Sequence, residues 1–433
     1  MIRKLNVYEA TQRRLKALFD YADFVYVSFS GGKDSSILLN MCIDYIRQHE
    51  PGRKLGVFHM DYEVQYAETT RFVEHMLQSN SDILEVYHCC VPFKVETCTS
   101  MFQNYWRPWD EKYRDLWVRE LPERCYTAAD FDFFNEDMWD YDFQYQFVNW
   151  LRRRKNYKRI CCVVGIRTEE SIHRWRAIHH MQNKRILGHY KWTYQIGYKS
   201  YNTYPIYDWK TADVWAANFK AGWEYNRLYD LFYQAGIPFS RQRVASPFIS
   251  PALPTLSVYK AIDPDMWGRM IGRVNGVAFA GLYGGTTAMA WKSVACPPGF
   301  TWEKYMYFLL DTLPKNVRDN YLRKLQTSIQ FWRNKGGCLS DSTIQKLRQR
   351  GVELTVEGKS AYKTDKRPVR MEYLDDIDIS EFREIPSYKR MCICILKNDH
   401  TCKYMGFTPT KRDKEQREKI MAKYKNLKSN GRI

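Results

Sequence analysis

Apolar positions follow two kinds of spacing along the chain. Residues 24–30 (FVYVSFS) form a β-branched and aromatic run with no helical period, the mark of a buried strand. A glycine turn follows, and residues 34–48 then carry Ile37, Leu38, Met41 and Tyr45 at the spacing of one helical face. The succession recurs: residues 54–61 (KLGVFHMD) read as a strand and residues 65–77 as its helix. Residues 83–89 and 159–166 add two further buried strands. Strands alternating with helices predict a parallel sheet with crossover helices, an α/β fold of Rossmann-like type.

The rest of the chain breaks that rhythm. Residues 92–158 are crowded with aromatics and acids (FDFFNEDMWDYDFQYQF) and close on Arg152, Arg153, Arg154 and Lys155. Such a stretch is too long for a connecting loop and predicts a mainly helical insertion. Residues 211–236 read as helical as far as Gly236-Ile237-Pro238, and prolines 247, 251 and 254 mark a change of texture. The expected organisation is an α/β domain over residues 1–245, a mainly helical region over 246–335, and a small basic α+β region over 336–433. In the middle region Gly268, Gly272 and Gly276 predict close helix approach, with Arg269 and Arg273 beside them as phosphate contacts. Cys392-Ile393-Cys394-Ile395 alternates like a strand, and Asn398-Asp399 like the turn after it. Cys392, Cys394, His400 and Cys402 are zinc-type ligands, but their spacing is not a standard zinc pattern, so zinc is not expected.

Charge sharpens this picture. Lys+Arg number 67 against 49 Asp+Glu, leaving +18 over 433 residues, which points to an anionic partner: a nucleotide, DNA, RNA or an acidic protein. Residues 411–433, read as a terminal Lys/Arg-rich helix, could follow a phosphate backbone. Aromatic residues at 16% suit base stacking or wide interfaces. The apolar share of 45% excludes a disordered chain, and twelve cysteines in this length do not make a disulfide scaffold. No apolar run approaches the roughly 18 residues of a membrane span. The first twenty residues form an amphipathic pattern rather than a secretory signal, so the expected location is the cytoplasm.

Candidate chemistry centres on Ser30-Gly31-Gly32-Lys33-Asp34-Ser35, where the first strand gives way to a helix. Glycine lets the backbone turn sharply, and the free amides and positive end of the helix attract phosphate. Ser30, Ser35 and Ser36 add hydroxyl donors, and Lys33 adds a point charge. A Walker A loop is excluded, because position 27 is Val and position 34 is Asp; the dinucleotide fingerprint is also absent.

The SGGxDS loop is that of the N-type ATP pyrophosphatases. On it, the chain resembles the adenine nucleotide α-hydrolase superfamily, in particular its phosphoadenosine phosphosulfate (PAPS) reductase branch. Three further stretches carry the resemblance: His59-Met60-Asp61 ending the second strand; Gly165-Ile166-Arg167-Thr168-Glu169-Glu170-Ser171 with Arg174 and Arg176; and Tyr204-Pro205-Ile206-Tyr207-Asp208-Trp209, with Asp213-Val214-Trp215 and Tyr225 to Asp230 beyond it. The resemblance implies nucleotide contacts from Ser28, Phe29, Ser30, Gly31, Gly32, Lys33, Asp34, Ser35, Ser36, Asp61, Gly165, Arg167, Arg174 and Arg176. Ser30, Lys33, Asp34 and Arg167 are the expected catalytic residues, and Asp34 the expected Mg²⁺ ligand. His173, His179, His180 and His189 are candidate general bases, and Glu169 and Glu170 candidate metal contacts.

The Glu-Cys-Gly-x-His motif of sulfite-forming reductases is missing, so thiol attack on PAPS lacks its nucleophile. Ser246-Pro247-Phe248, residues 295–302 and residues 397–404 are similar to bacterial and phage immunoglobulin-binding-regulator A type proteins, which pair such a domain with a C-terminal domain of unknown function and are often encoded beside a ParB-like partner. The expectation is an Mg²⁺-dependent enzyme that cleaves ATP to AMP and pyrophosphate to adenylate an acceptor, with a link to nucleic acid. Two alternatives stand beside it: a PAPS-binding sulfotransferase- or reductase-like protein, and a non-catalytic nucleotide sensor associated with DNA or a ParB-like protein.

Overall fold

The buried runs pair into a single sheet. The computed structural model describes residues 5–179, 185–286, 289, 294–358 and 366–407. After α1 (Val7–Tyr21), strand β1 (Phe24–Ser28) leads into α2 (Lys33–His49), β2 (Leu55–Met60) into α3 (Ala67–Ser79), and then comes β3 (Leu84–Cys89). A ribbon of β4 (Val95–Glu96) and β5 (Tyr105–Trp106) precedes α4 (Asp140–Arg154), β6 (Ile160–Val163), α5 (Ile172–His179) and a hairpin of β7 (Thr193–Gly197) and β8 (Ser200–Thr203). The sheet order is β3-β2-β1-β6-β8-β7, parallel throughout except for the antiparallel β7 edge. The α/β expectation therefore holds.

Alternation along the strands sorts the core into two layers. Val25, Val27 and Val57 pack with Leu15, Ile37, Leu38, Phe72 and Val214 from the helices on one face. Tyr26 and Phe58, at the alternate positions, meet Phe143 and Phe147 of α4 on the other, with the Phe58 and Phe147 rings 4.1 Å apart. The aromatic insertion is thus helical chiefly over α4, and its purpose is legible: it covers the second face of the sheet. Before α4 it consists of the β4–β5 ribbon, two short 3-10 turns and irregular chain, because its acids and glycine-poor aromatics supply caps and turns rather than a helical period.

Helix α6 (Thr211–Ala221) stops at Gly222, whose φ of +66° makes a left-handed cap, and α7 (Leu228–Gln234) starts anew, so residues 211–236 are two helices rather than one. A 3-10 stretch, Ser250–Val258, leads to α8 (Tyr259–Ile262), α9 (Pro264–Arg273) and α10 (Val277–Tyr283). Contacts divide the chain into Met1–Thr97 with Tyr105–Leu282, and Cys98–Asn104 with Tyr283–Ile433.

In the second unit α11 (Trp302–Asp311) and α12 (Lys315–Asn334) share a core with α14 (Tyr388–Leu396), built on Trp302, Met306, Tyr321, Leu325, Met391 and Ile395. Between them β9 (Gly337–Leu339), α13 (Asp341–Gln349), β10 (Leu354–Val356) and β11 (Arg367–Met371) form a three-stranded antiparallel sheet with its own core. The expected strand at Cys392-Ile393-Cys394 is instead the heart of α14. Ser387 caps that helix by accepting from the Arg390 N–H at 3.4 Å, and an uninterrupted apolar run carries no period to tell strand from helix.

Two other expectations change. A Cβ at Gly268 or Gly272 would meet nothing within 4 Å, so these glycines mark no close helix approach. Arg269 and Arg273 are committed internally, to the Val118 carbonyl and the Glu63 carboxylate. The terminal helix expected over residues 411–433 lies outside the described residues.

Candidate active site

Between β1 and α2 the chain must reverse and present its amides. Gly31 does so with φ +74°, and a Cβ there would stand 2.7 Å from Val73 Cγ2. The turn is tied from within. Ser35 Oγ donates to the Gly32 carbonyl (3.0 Å) and accepts from the Ser30 N–H (3.2 Å), and Ser36 Oγ donates to the same carbonyl at 2.9 Å. Ser30 Oγ lies 3.1 Å from Ser35 Oγ. The Lys33 N–H, one of the first amides of α2, donates to the Tyr229 hydroxyl at 3.0 Å. A phenolic oxygen thus occupies a position where a helix N-terminus would hold an anion.

Charged groups meet directly behind this turn. Asp34 Oδ1 accepts from Arg167 Nε at 2.7 Å, and its Oδ2 lies 3.1 Å from Lys33 Nζ. Arg167 is 1% exposed and also reaches Glu169 at 3.0 Å and the Trp209 carbonyl. Burial pulls the Lys33 ammonium below its usual range against the opposing pull of Asp34, and burial does the same to the Arg174 guanidinium. Arg174 pairs with Glu170. Gly165, at the mouth of β6, lets that strand end close on the first turn of α2: a Cβ would meet the Asp34 carbonyl carbon and the Ser35 nitrogen at 3.0 Å.

Several of these groups line a cleft of about 320 Å³ at the carboxyl end of the sheet, the side on which open α/β sheets take ligands. From the expected set, Ser28, Ser30, Gly32, Lys33, Asp34, Ser35, Gly165 and Arg174 line it. Phe29, Gly31, Ser36 and Arg167 stand just behind, shaping the turn or holding Asp34. Further lining comes from Tyr66, Tyr259, Arg241, Arg243 and parts of residues 244–256, none of them among the expected site residues, and from Tyr229 of the Tyr225–Asp230 stretch. The Tyr66 and Tyr259 rings stack at 3.6 Å. Arg241 and Arg243 are exposed and form no ion pair among the described residues. Their only sequence signal was an Arg-x-Arg ahead of the proline-marked boundary.

Other expected residues lie elsewhere. Asp61 is not among the cleft-lining residues; it is 2% exposed and held by Arg119 and by His88 Nε2 at 2.7 Å. Burial alone would raise its carboxyl, yet Arg119 and His88 hold it well below the usual range. Arg176 is exposed on α5. Of the candidate bases, His179 donates to its own helix at the Trp175 carbonyl (3.0 Å), His189 is exposed, and His180 and the His173 side chain lie outside the described residues. Of the basic cluster, Lys155 pairs with Glu85 at 2.7 Å, while Arg152 and Arg154 lie over Tyr198 and Trp150. No described helix is long and apolar enough to cross a membrane.

Residues 25–235 match the phosphoadenosine phosphosulfate reductase domain, and residues 236–416 a domain of unknown function, DUF3440. The uncharacterized protein YbdN of Escherichia coli (strain K12) is 31% identical over 428 residues, covering 97% of this chain and 95% of its own. The chain belongs to the same family as YbdN, and its first half is a PAPS reductase domain of the adenine nucleotide α-hydrolase superfamily. Among solved structures, the PAPS reductase of Candida auris (15% identical, TM-score 0.29) covers 53% of this chain and 93% of its own. The FMN adenylyltransferase of Candida glabrata in complex with ATP (16%, TM-score 0.29) covers 52% and 56%. The U34-tRNA thiolase NcsA of Methanococcus maripaludis (11%, TM-score 0.29) covers 63% and 80%.

Proposed function

We propose that this cleft binds an adenine nucleotide and cleaves ATP between its α and β phosphates, transferring AMP to an acceptor and releasing pyrophosphate. The observation that carries the reading is the charge balance of the cleft. Lys33, Arg174, Arg241 and Arg243 line it against two carboxylates, Asp34 and Glu170, and both carboxylates already have cation partners. The surplus positive charge is matched to a polyphosphate. Cations fixed in a partly buried site stabilise charge growing on the leaving pyrophosphate more than the same cations would in water. Arg167, by holding Asp34 from behind, keeps that carboxylate beside Lys33.

Mg²⁺ prefers carboxylate and phosphate oxygens, and Asp34 is the residue of the loop that would hold it. With both oxygens of Asp34 already engaged, the site suits an ion that arrives with the nucleotide rather than one caged by protein. Bound there, the ion would neutralise charge on the bridging phosphate oxygens.

³¹P NMR of the full chain with ATP and Mg²⁺ tests the reading. With water standing in for the acceptor, AMP and pyrophosphate are expected from the parent, with turnover reduced on the order of 10²–10³-fold in Lys33→Ala. ADP with phosphate, or untouched ATP, would overturn it. The matched domain favours a second reading, PAPS as ligand. No cysteine lines the cleft among the described residues, so sulfur transfer would need a thiol from another molecule. Competition between PAPS and ATP for the cleft separates the two. The charge of +18 motivates nucleic acid, or a protein working on one, as a larger partner, a reading that salt-dependent retention of DNA or RNA would test.

A further inference from the structure

A second set of chemistry-bearing side chains lies at the carboxyl ends of β2 and β3, outside the residues that line the cleft. One ring nitrogen each of His59 and His88 and a carboxylate oxygen of Asp61 lie within 4.8 Å of one another, and all three residues are buried. The strands bring them together by register: β2 and β3 are parallel, His59 pairs with His88, and Asp61 follows at the end of the strand. His59 is 7% exposed, and its Nδ1 donates to the Phe29 carbonyl at 2.8 Å. Nε2 therefore keeps its lone pair, and it makes no hydrogen bond among the described residues. A histidine oriented by a backbone carbonyl through one nitrogen, with the other left bare, is the arrangement that metal-binding imidazoles use. His88 Nε2 stands 2.7 Å from Asp61 Oδ2, a hydrogen bond that a shared cation would replace.

We infer that His59, His88 and Asp61 form a binding site for a first-row transition-metal dication, of the two-imidazole, one-carboxylate kind. Donors of this type select zinc, iron, cobalt or nickel over magnesium or calcium. Three protein ligands leave further positions for water or a ligand. Phe29 is the residue before Ser30, so an ion on His59 would bear through Nδ1–H on the carbonyl that opens the phosphate turn. Arg119 sets the limit on affinity. It holds Asp61 Oδ1, the other oxygen, and its charge repels a dication.

Co²⁺ is the probe, because its visible spectrum reports coordination directly. The full-length protein, stripped with chelator and titrated with Co²⁺, is expected to take it up stoichiometrically with a d–d band and without thiolate-to-cobalt charge transfer. His59→Gln and His88→Gln should lose that band, while His75→Gln, at an exposed position of α3, should keep it. Arg119→Met should tighten Co²⁺ binding by about tenfold or more, since it removes a neighbouring positive charge; a purely structural His–Asp–Arg network predicts no such gain. Should the histidine variants fail to fold, the imidazole ¹⁵N shifts of the parent with and without Zn²⁺ decide the matter. Absence of Co²⁺ uptake by the parent, unmoved imidazole shifts, or a spectrum dominated by thiolate overturns the site.

Discussion

Cys125 shows how far one residue's chemistry can depend on a neighbour remote in sequence. It is half-buried, and a hydrogen bond from the Cys90 thiol stabilises its thiolate; burial opposes this and His88 assists it, leaving the thiol at about 7. Nothing in the local sequence around Cys125 announces this, because its partner sits at the end of β3 and is brought alongside by the backbone pairing of Cys90 with Tyr126. Other cysteines, Cys42 and Cys161 among them, are buried and pushed upward. Only thiolate reacts with iodoacetamide, so labelling of the native protein should rise with pH through about 7 and fall on Cys125, leaving Cys42 and Cys161 untouched. Peptide mapping across pH checks this. A profile centred near the ordinary thiol value of about 8.5 would show that Cys90 does not support the charge.

At the scale of elements, the phosphate turn was the most legible part of the chain, since strand, glycines and helix each leave a local mark. Its partners were less so. Arg167 was visible as a motif residue, but that it would close on Asp34 follows from β6 lying beside β1, a pairing set by topology and not by spacing. The misread of Cys392-Ile393-Cys394 has the same origin. A fully buried helix and a fully buried strand look alike in an unbroken apolar run, and only the cap at Ser387 distinguishes them. Two glycines give the turn a testable geometry. Gly31→Ala adds a Cβ at φ +74° and 2.7 Å from Val73, so it should cost about 1–2 kcal/mol or more in denaturant unfolding. Gly165→Ala pushes instead on the backbone of Asp34 and Ser35. It should weaken nucleotide binding, read by calorimetry, by more than it lowers stability. Equal losses of both kinds would mean that Gly165 serves packing alone.

For the whole chain, the two matched regions meet at residues 235 and 236, yet the structure does not divide there. Residues up to Leu282 pack with the nucleotide domain, so the opening stretch of the DUF3440 region supplies one wall of the cleft, Arg241 and Arg243 included. The prolines near residue 250 suggested a boundary because they break helices, but a break in secondary structure is not a break in packing. The tie runs through a buried ion pair. Glu63 is 0% exposed at the end of the β2 region, with φ +65° and its carboxylate accepting from the backbone amides of Trp109 and Val118. Arg273 of α9 completes it with bonds of 2.7 and 2.9 Å. Removing the arginine leaves an uncompensated buried carboxylate, so Arg273→Met should destabilise the protein by about 3–5 kcal/mol. Adding Glu63→Gln should recover part of that loss, because a neutral amide needs no counter-charge and its one oxygen still accepts from one of the two backbone amides, the other being left facing the NH₂ group. Urea unfolding of the parent, both single variants and the double closes the cycle. A double variant no better than Arg273→Met alone would show that Arg273 acts through packing against Trp106 and Tyr113 rather than through charge.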